Sequence, residues 1–385
     1  MTKVVFFASD MSETAQIRRI NSFRRAGYRV ASFGMRKASQ QAAHPWPHIA
    51  LGQIDNERLG RRLLRILAAL RPIVANRAVL KDADLLIARN IDMLILAWLA
   101  RMLSGGKQPL VYECLDIHGI FTRSGLVGRV ARLVERVMLR RTALLLVSSP
   151  GFMEQYFHPT QSWRGPWLLI ENKLWFAGAP LRRPARPRPV NAPLVLGWVG
   201  AIRCAPSLDL LCATARACEG QITILIRGII HDHALPDFHA RIAAMDNIRY
   251  EGPYTYPDGL ADVYSGCDLV WAQDMWQAGA NSDWLLPNRL YEAGWFGCPS
   301  IAVAGTQTAA RIRSGGLGYV IDHPTVDALA TLLTGLTPDQ ITARQQAILS
   351  QPDSCFCLSD DDVHAIVAHA LSPAQTPPPA QKAQS

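Results

Sequence analysis

Three features of the chain predict an α/β protein of two doubly wound domains. Short β-rich apolar runs alternate with helical patterns from end to end, the alternation breaks once at a Pro/Arg-rich segment and restarts, and 385 residues exceed one ordinary core. In the first half the runs are KVVFFAS, YRVASFG, DLLIAR, LVYECL, ALLLVSS and WLLIEN. Parallel strands with crossover helices explain this rhythm, because parallel neighbours need a long return connection. After Trp175 comes PLRRPARPRPV, whose prolines fix φ and lack an amide hydrogen, so helix is excluded and an extended spacer is expected. LVLGWVG, ITILIRG, IRYEG, LVWAQ, PSIAV and GYVID then restart the pattern, with further helices over 326–350. The predicted parts are a first domain over 1–178, a linker over 179–192, a second domain over 193–355, a C-terminal helix over 356–371 and a disordered tail over 372–385. The two domains are expected to face each other across a cleft.

Composition narrows the function classes. Hydrophobic residues are 49% and charged residues 18%, as in a globular protein, and a net charge of +9 suits nucleic acid, anionic lipid or phosphorylated small molecules. The opening apolar run, Val4 to Ala8, is too short for a signal-peptide core, and MLILAWLA stops at Arg101, so no membrane span is expected and the protein is expected to be cytosolic or peripheral. Eight cysteines without a CxxC pair read as buried thiols of a reducing compartment, and the CFC at Cys355 and Cys357 has no partner set with metal-finger spacing. Neither GxGxxG after the first strand nor GxxxxGK[ST] is present, which removes the commonest dinucleotide and P-loop readings.

In doubly wound sheets, ligands bind beyond the carboxyl ends of the strands. The stretch WLLPNRLYEAGWFGCPSIAV places Pro287 in a first helical turn, Asn288 and Glu292 four apart on one face, and Gly297 and Pro299 as a stop. A helix N-terminus there would favour a phosphate, Glu292 would accept hydrogen bonds from sugar or ribose hydroxyls, and Arg289 would neutralise a diphosphate. The bland alternative is a solvated Glu–Arg helix face. Three further expected strand ends favour the site: Gly200 with Arg203, Arg227 with Gly228, and Glu251 with Gly252 and Tyr254.

PNRLYEAGWFGCPSIAV resembles the donor-binding signature of GT-B glycosyltransferases, a Glu near a helix start followed by Gly-x-Pro and a strand. ARNIDMLILA, VYECLDIHG, VSSPGFMEQYF, IENK, GWVGAIRCAPSL and NSDWLLPNRLYEAG are together similar to the ExoL-type glycosyltransferases of succinoglycan and related exopolysaccharide assembly. The resemblance implies transfer of a hexose, glucose from UDP-glucose, to a polyprenyl-diphosphate-linked oligosaccharide at the inner face of the cytoplasmic membrane, with no cofactor. With the strand ends and the helix taken together, the donor-binding residues would be Gly200, Arg203, Arg227, Glu251, Tyr254, Asn288, Arg289 and Glu292. Many retaining relatives carry a second glutamate eight positions before Glu292. Trp284 stands there instead, with Asp274 and Asp283 nearby, so an inverting displacement that uses a general base is expected.

VYECLDIHG supplies that base as Asp116 first and His118 second, unless the two merely pair in a strand-to-loop turn. Asp10 and Ser12, after the first strand, are expected to cap the following helix and equally suit the acceptor side. Asn172 and Lys173 could reach donor phosphates or simply pack. Two basic amphipathic segments remain. In ERLGRRLLRILAALR, Arg58, Arg61, Arg62 and Arg65 are expected to contact anionic membrane. GRVARLVERVMLRR, with Arg129, Arg132, Arg136 and Arg140 at helical spacing, offers the same membrane contact, but a core-packed helix with a solvated basic face is expected there. Arg203, Arg227, Arg289 and a helix N-terminus could stabilise a leaving diphosphate without a metal. Two rival classes stay open: a nucleic-acid-binding protein, weakened by the scatter of the arginines, and a catalytically silent scaffold of the same fold.

Overall fold

The computed structural model describes residues 1–37, 44–54, 59–176, 178 and 192–372, with backbone alone for 54 and 59–65. Most of the proposed linker and tail, and the side chains of Arg58, Arg61, Arg62 and Arg65, therefore lie outside the described residues. The chain forms two compact units, Met1–Glu171 with the segment from Leu358, and Asn172–Cys357.

The first unit is built on a seven-stranded sheet in the order β3-β2-β1-β4-β5-β6-β7. The strands are β1 Lys3–Ala8, β2 Arg29–Lys37, β3 His48–Ile54, β4 Leu85–Arg89, β5 Leu110–Cys114, β6 Leu144–Val147 and β7 Trp167–Leu169. All pairings are parallel. β4, β5 and β6 are buried at every position, as strands covered on both faces must be. The helices Thr14–Arg25 and Asp360–Leu371 pack together, and the latter inserts Val363, Ile366, Val367 and Ala370 into the core around Val4, Phe6 and Ile87. On the opposite face, Leu59–Ala75, Ile91–Ser104 and Leu126–Leu139 lie side by side.

The second unit is a six-stranded parallel sheet ordered β10-β9-β8-β11-β12-β13. Its strands are β8 Leu194–Ile202, β9 Ile222–Ile230, β10 Ile248–Tyr250, β11 Leu269–Trp271, β12 Ser300–Val303 and β13 Gly318–Ile321. Both sheets are doubly wound, as the sequence predicts, but the unit boundaries differ from the expected ones in two places. The Leu174 amide donates to the Phe356 carbonyl at 2.9 Å, and Leu174 and Phe176 are buried in the second core, so the chain changes unit at Asn172 rather than near 178. The final helix is part of the first core rather than a separate element. Ser359 and Asp362 cap it reciprocally, and Asp360 to Asp362 face its positive end.

The carboxyl edge of the first sheet is fixed by a buried charge cluster. Glu113, at the end of β5, accepts from Arg19 Nε at 2.7 Å and from Arg89 Nε at 3.0 Å, and all three side chains are at most 4% exposed. Arg19 comes from the first helix and Arg89 from the end of β4, so one carboxylate ties three elements together. Burial alone would raise the Glu113 carboxyl, but the fields and hydrogen bonds of Arg89 and Arg19 outweigh it and hold the group at about 2. Burial lowers Arg19, yet a guanidinium starts so high that it stays charged.

Glu113→Gln strands two buried guanidinium groups, and the urea unfolding free energy should fall by about 3–5 kcal/mol. The folded carboxyl lies below its ordinary value of 4.5, so its stabilisation is complete above that pH and fades as pH drops towards 2. The variant should lose this part of the acid-unfolding slope, and an unchanged slope would sink the assignment.

Candidate functional site

β8 is the first strand of the second sheet and lies between β9 and β11, so the strand order reverses beside it. Crevices for ligands open at such points. Gly200 and Gly228 do not end their strands, as the sequence suggested. β8 and β9 stay paired through Ile202 and Ile230, with Gly200 opposite Gly228. Both have positive φ, +109° and +144°, and a Cβ on Gly228 would lie 1.8 Å from the Gly200 carbonyl oxygen. These glycines let two backbones approach each other, which is a different use from the expected approach to a ligand. Arg203 follows the true end of β8, half-buried, just before the helix Ala205–Ala217.

Arg227 lies within β9, and its Nη1 is 3.0 Å from the Glu251 carboxylate beyond β10. The expected pair of donor ligands is thus an ion pair, which fixes the loop carrying Gly252 and Tyr254. Glu292 is buried on the helix Asn288–Trp295, where its Oε2 accepts from the Tyr264 hydroxyl at 2.8 Å. Burial pushes the Tyr264 phenol up, and Glu292 adds to the shift, so Tyr264 remains a donor. Burial also pushes Tyr254 up, with Glu292 raising it further and Arg289 and Arg227 opposing. Tyr254 is therefore within the electrostatic reach of both the carboxylate and the arginines. The structure gathers Arg227, Glu251, Tyr254, Arg289 and Glu292 at one edge of the sheet.

Pro287 sits in extended backbone just before the helix, φ −73° and ψ 146°, instead of in its first turn. The half-buried Arg289 reaches back, Nη1 at 3.5 Å from the Trp271 carbonyl at the end of β11. Asn288 accepts from the Asn172 side-chain amide at 2.6 Å, while Lys173 Nζ donates to the Ser354 carbonyl at 2.8 Å. Gly294 lets the helix settle onto Phe356, whose ring a Cβ there would meet at 2.2 Å. Gly297, at φ +75°, ends the helix and turns the chain into β12.

Gln273 was not legible as a site residue. It is buried after β11, accepts from the Val303 amide and the Thr306 hydroxyl at 3.1 Å each, and so locks the loops after β11 and β12 together. The nearby acids serve the backbone: Asp274 accepts from the Trp276 amide at 2.8 Å and the Ser282 hydroxyl at 2.7 Å, and Asp283 from the Gly279 amide at 2.9 Å.

In the first unit, Asp10 does not cap the first helix. It accepts from the Ser12 amide at 2.8 Å and from the Ser12 hydroxyl, forming a local turn, and Glu13 takes the cap position. Asp116 and His118 are exposed beyond β5. His118 Nδ1 accepts from the Ile120 amide at 3.2 Å and caps the short helix Gly119–Thr122. Beside them, Asn90 at the end of β4 has φ +69° and ψ 161°, a region of strain for a non-glycine residue that clusters at functional loops, and its side-chain amide lies 3.3 Å from Ser9 Oγ.

The eight cysteines are free thiols, six of them buried. No family profile matches the chain. The chain is 36% identical over 345 residues to the succinoglycan biosynthesis protein ExoL of Rhizobium meliloti, covering 88% of this chain and 86% of that protein. Its fold matches Anabaena HepE in complex with UDP and glucose, with a TM-score of 0.68 at 16% identity over 96% of this chain and 99% of that one. It also matches sucrose-phosphate synthase from Thermosynechococcus elongatus, with a TM-score of 0.69 at 16% identity over 96% and 97% of the two chains. The identity to ExoL spans most of both proteins and the fold likeness is chain-long, so this protein belongs to the ExoL family of succinoglycan biosynthesis proteins and has the GT-B glycosyltransferase fold.

Proposed function

We propose that the protein transfers glucose from UDP-glucose to a polyprenyl-diphosphate-linked oligosaccharide during exopolysaccharide assembly, at the cytoplasmic side of an anionic membrane surface. The observation that carries this reading is Glu292, a buried carboxylate oriented by Tyr264 one turn into the helix Asn288–Trp295, whose start carries the positive end of the helix dipole. Such a carboxylate can bind ribose or sugar hydroxyls while the helix start receives phosphate. Arg289 and Arg203 stabilise the leaving diphosphate as negative charge develops, and no cofactor enters the scheme. The relative's role in succinoglycan biosynthesis and the UDP and glucose bound by HepE support the donor class.

Asp274 and Asp283 are committed to loop amides, and Trp284 occupies the position of a second glutamate, so the scheme inverts at the anomeric carbon. Asp116 takes the proton from the acceptor hydroxyl as that oxygen forms the new glycosidic bond and the UDP oxygen leaves. His118 is the weaker candidate, because its Nδ1 lone pair holds the Ile120 amide and the neutral ring then carries its proton on Nε2.

UDP should raise the thermal unfolding midpoint of the full chain at concentrations where GDP and NAD do not, since a ligand of the folded state stabilises it by mass action. A flat response to UDP would count against the pocket. Glu292→Gln should lower kcat/KM about ten- to a hundredfold, the effect of a lost charged hydrogen bond.

Asp116→Asn should reduce kcat on the order of 10²- to 10⁴-fold with KM for the donor little changed, and His118→Gln should stay close to the parent. The reverse ranking would move the base to His118.

A further inference from the structure

The helix Leu126–Leu139 is turned opposite to its expected orientation. Leu126, Val127, Val130, Leu133, Val134 and Val137 are between 40% and 70% exposed. At about 100° per residue these six side chains fall within an arc of about 120°, a continuous aliphatic stripe rather than scattered surface residues. Its polar side faces the protein. Glu135 is buried and accepts from Tyr112 at 3.0 Å, from Gln161 at 2.6 Å and from Tyr156. Arg132 donates to the Phe121 and Arg123 carbonyls at 2.8 and 2.9 Å, and Arg136 to the Thr160 carbonyl at 2.6 Å. Rotating the helix to bury its valines would break all of these contacts.

We propose that this stripe is the bilayer-docking surface of the protein, inserted into the headgroup–acyl boundary of an anionic membrane with the helix lying in the membrane plane. The expected orientation, apolar on the core and basic in solvent, is thereby corrected. The charge around the stripe selects the occupant. Arg129 and Arg140 lie along its edge, Arg123 and Arg141 flank its ends, all four are exposed, and the helix's one acid is buried. Basic residues beside an aliphatic face fit lipid phosphates. A second copy would bring the same arginines against their own kind, and protein hot spots favour aromatic residues over the Leu and Val found here. Among the described residues no helix is long and apolar enough to cross a membrane, and this one, about 21 Å long, suits the interface plane. The inference rests on the proposed function only for the presence of a membrane, because vesicle binding is measured without donor or acceptor.

The test is sedimentation of the full chain with phosphatidylcholine vesicles, with and without phosphatidylglycerol. The parent should partition strongly onto the anionic vesicles. The double variant Val130→Ser/Leu133→Ser should bind them at least about tenfold more weakly, with its unfolding midpoint and UDP response unchanged. Arg129→Glu/Arg140→Glu should abolish the preference for phosphatidylglycerol. Equal partitioning of parent and stripe variant would overturn the proposal. So would a parent that ignores vesicles but forms a dimer that the stripe variant loses.

Discussion

A carboxylate taken out of water must be met by charge or by hydrogen-bond donors, and the organisation of this protein follows how three buried glutamates meet that demand. Glu113, Glu135 and Glu292 are the buried acids among the described residues. Glu113 takes two guanidinium groups and stays ionised. Glu135 takes two phenols and an amide but no cation, and burial raises its carboxyl. Glu292 takes a phenol from the helix that precedes β11. Each solution joins elements that the sequence keeps far apart, and each fixes one surface: the strand-end loops of the first unit, the outward helix, and the proposed donor site.

At the proposed donor site this demand combines with glycines that allow close packing. Tyr264 reaches Glu292 on the helix Asn288–Trp295, and Gly294 lets the same helix lie close against Phe356. The partner residues are themselves held. Arg227 is occupied by Glu251, and Gln273 locks the loops after β11 and β12. Preorganisation of this kind lets a site stabilise developing charge without rearranging during the reaction.

The strands apart from β3, their parallel pairing and the helix of Glu292 were legible because apolar runs and stop signals are local, whereas β3, the edge strand His48–Ile54, has no such run. Strand ends were harder. Gly200 and Gly228 look like stops, yet they continue β8 and β9 by facing each other, a relation visible only across two strands. Arg227 and Glu251 each read as a ligand because sequence does not show that they pair. The boundary near Asn172 was hidden for the same reason, since Leu174 is held by a carbonyl 182 residues later, 356 − 174. Asp10 illustrates the opposite error: an acid before a helix suggests a cap, but the chain has room for a turn closed on Ser12 first.

The helix Leu126–Leu139 shows where periodicity reaches its limit. A 3.6-residue repeat establishes that two faces exist and which residues share each, but it carries no sign. The usual assumption supplies the sign, apolar inward, because most helices have only a hydrophobic reason to choose. Here the inner face has a polar one: Glu135 between Tyr112, Tyr156 and Gln161, with Arg132 and Arg136 on backbone carbonyls. Exposing leucines and valines in exchange for an internal network is unfavourable in water alone. It becomes favourable when a second apolar phase covers the stripe, since burial of the same side chains then contributes to binding instead of to folding.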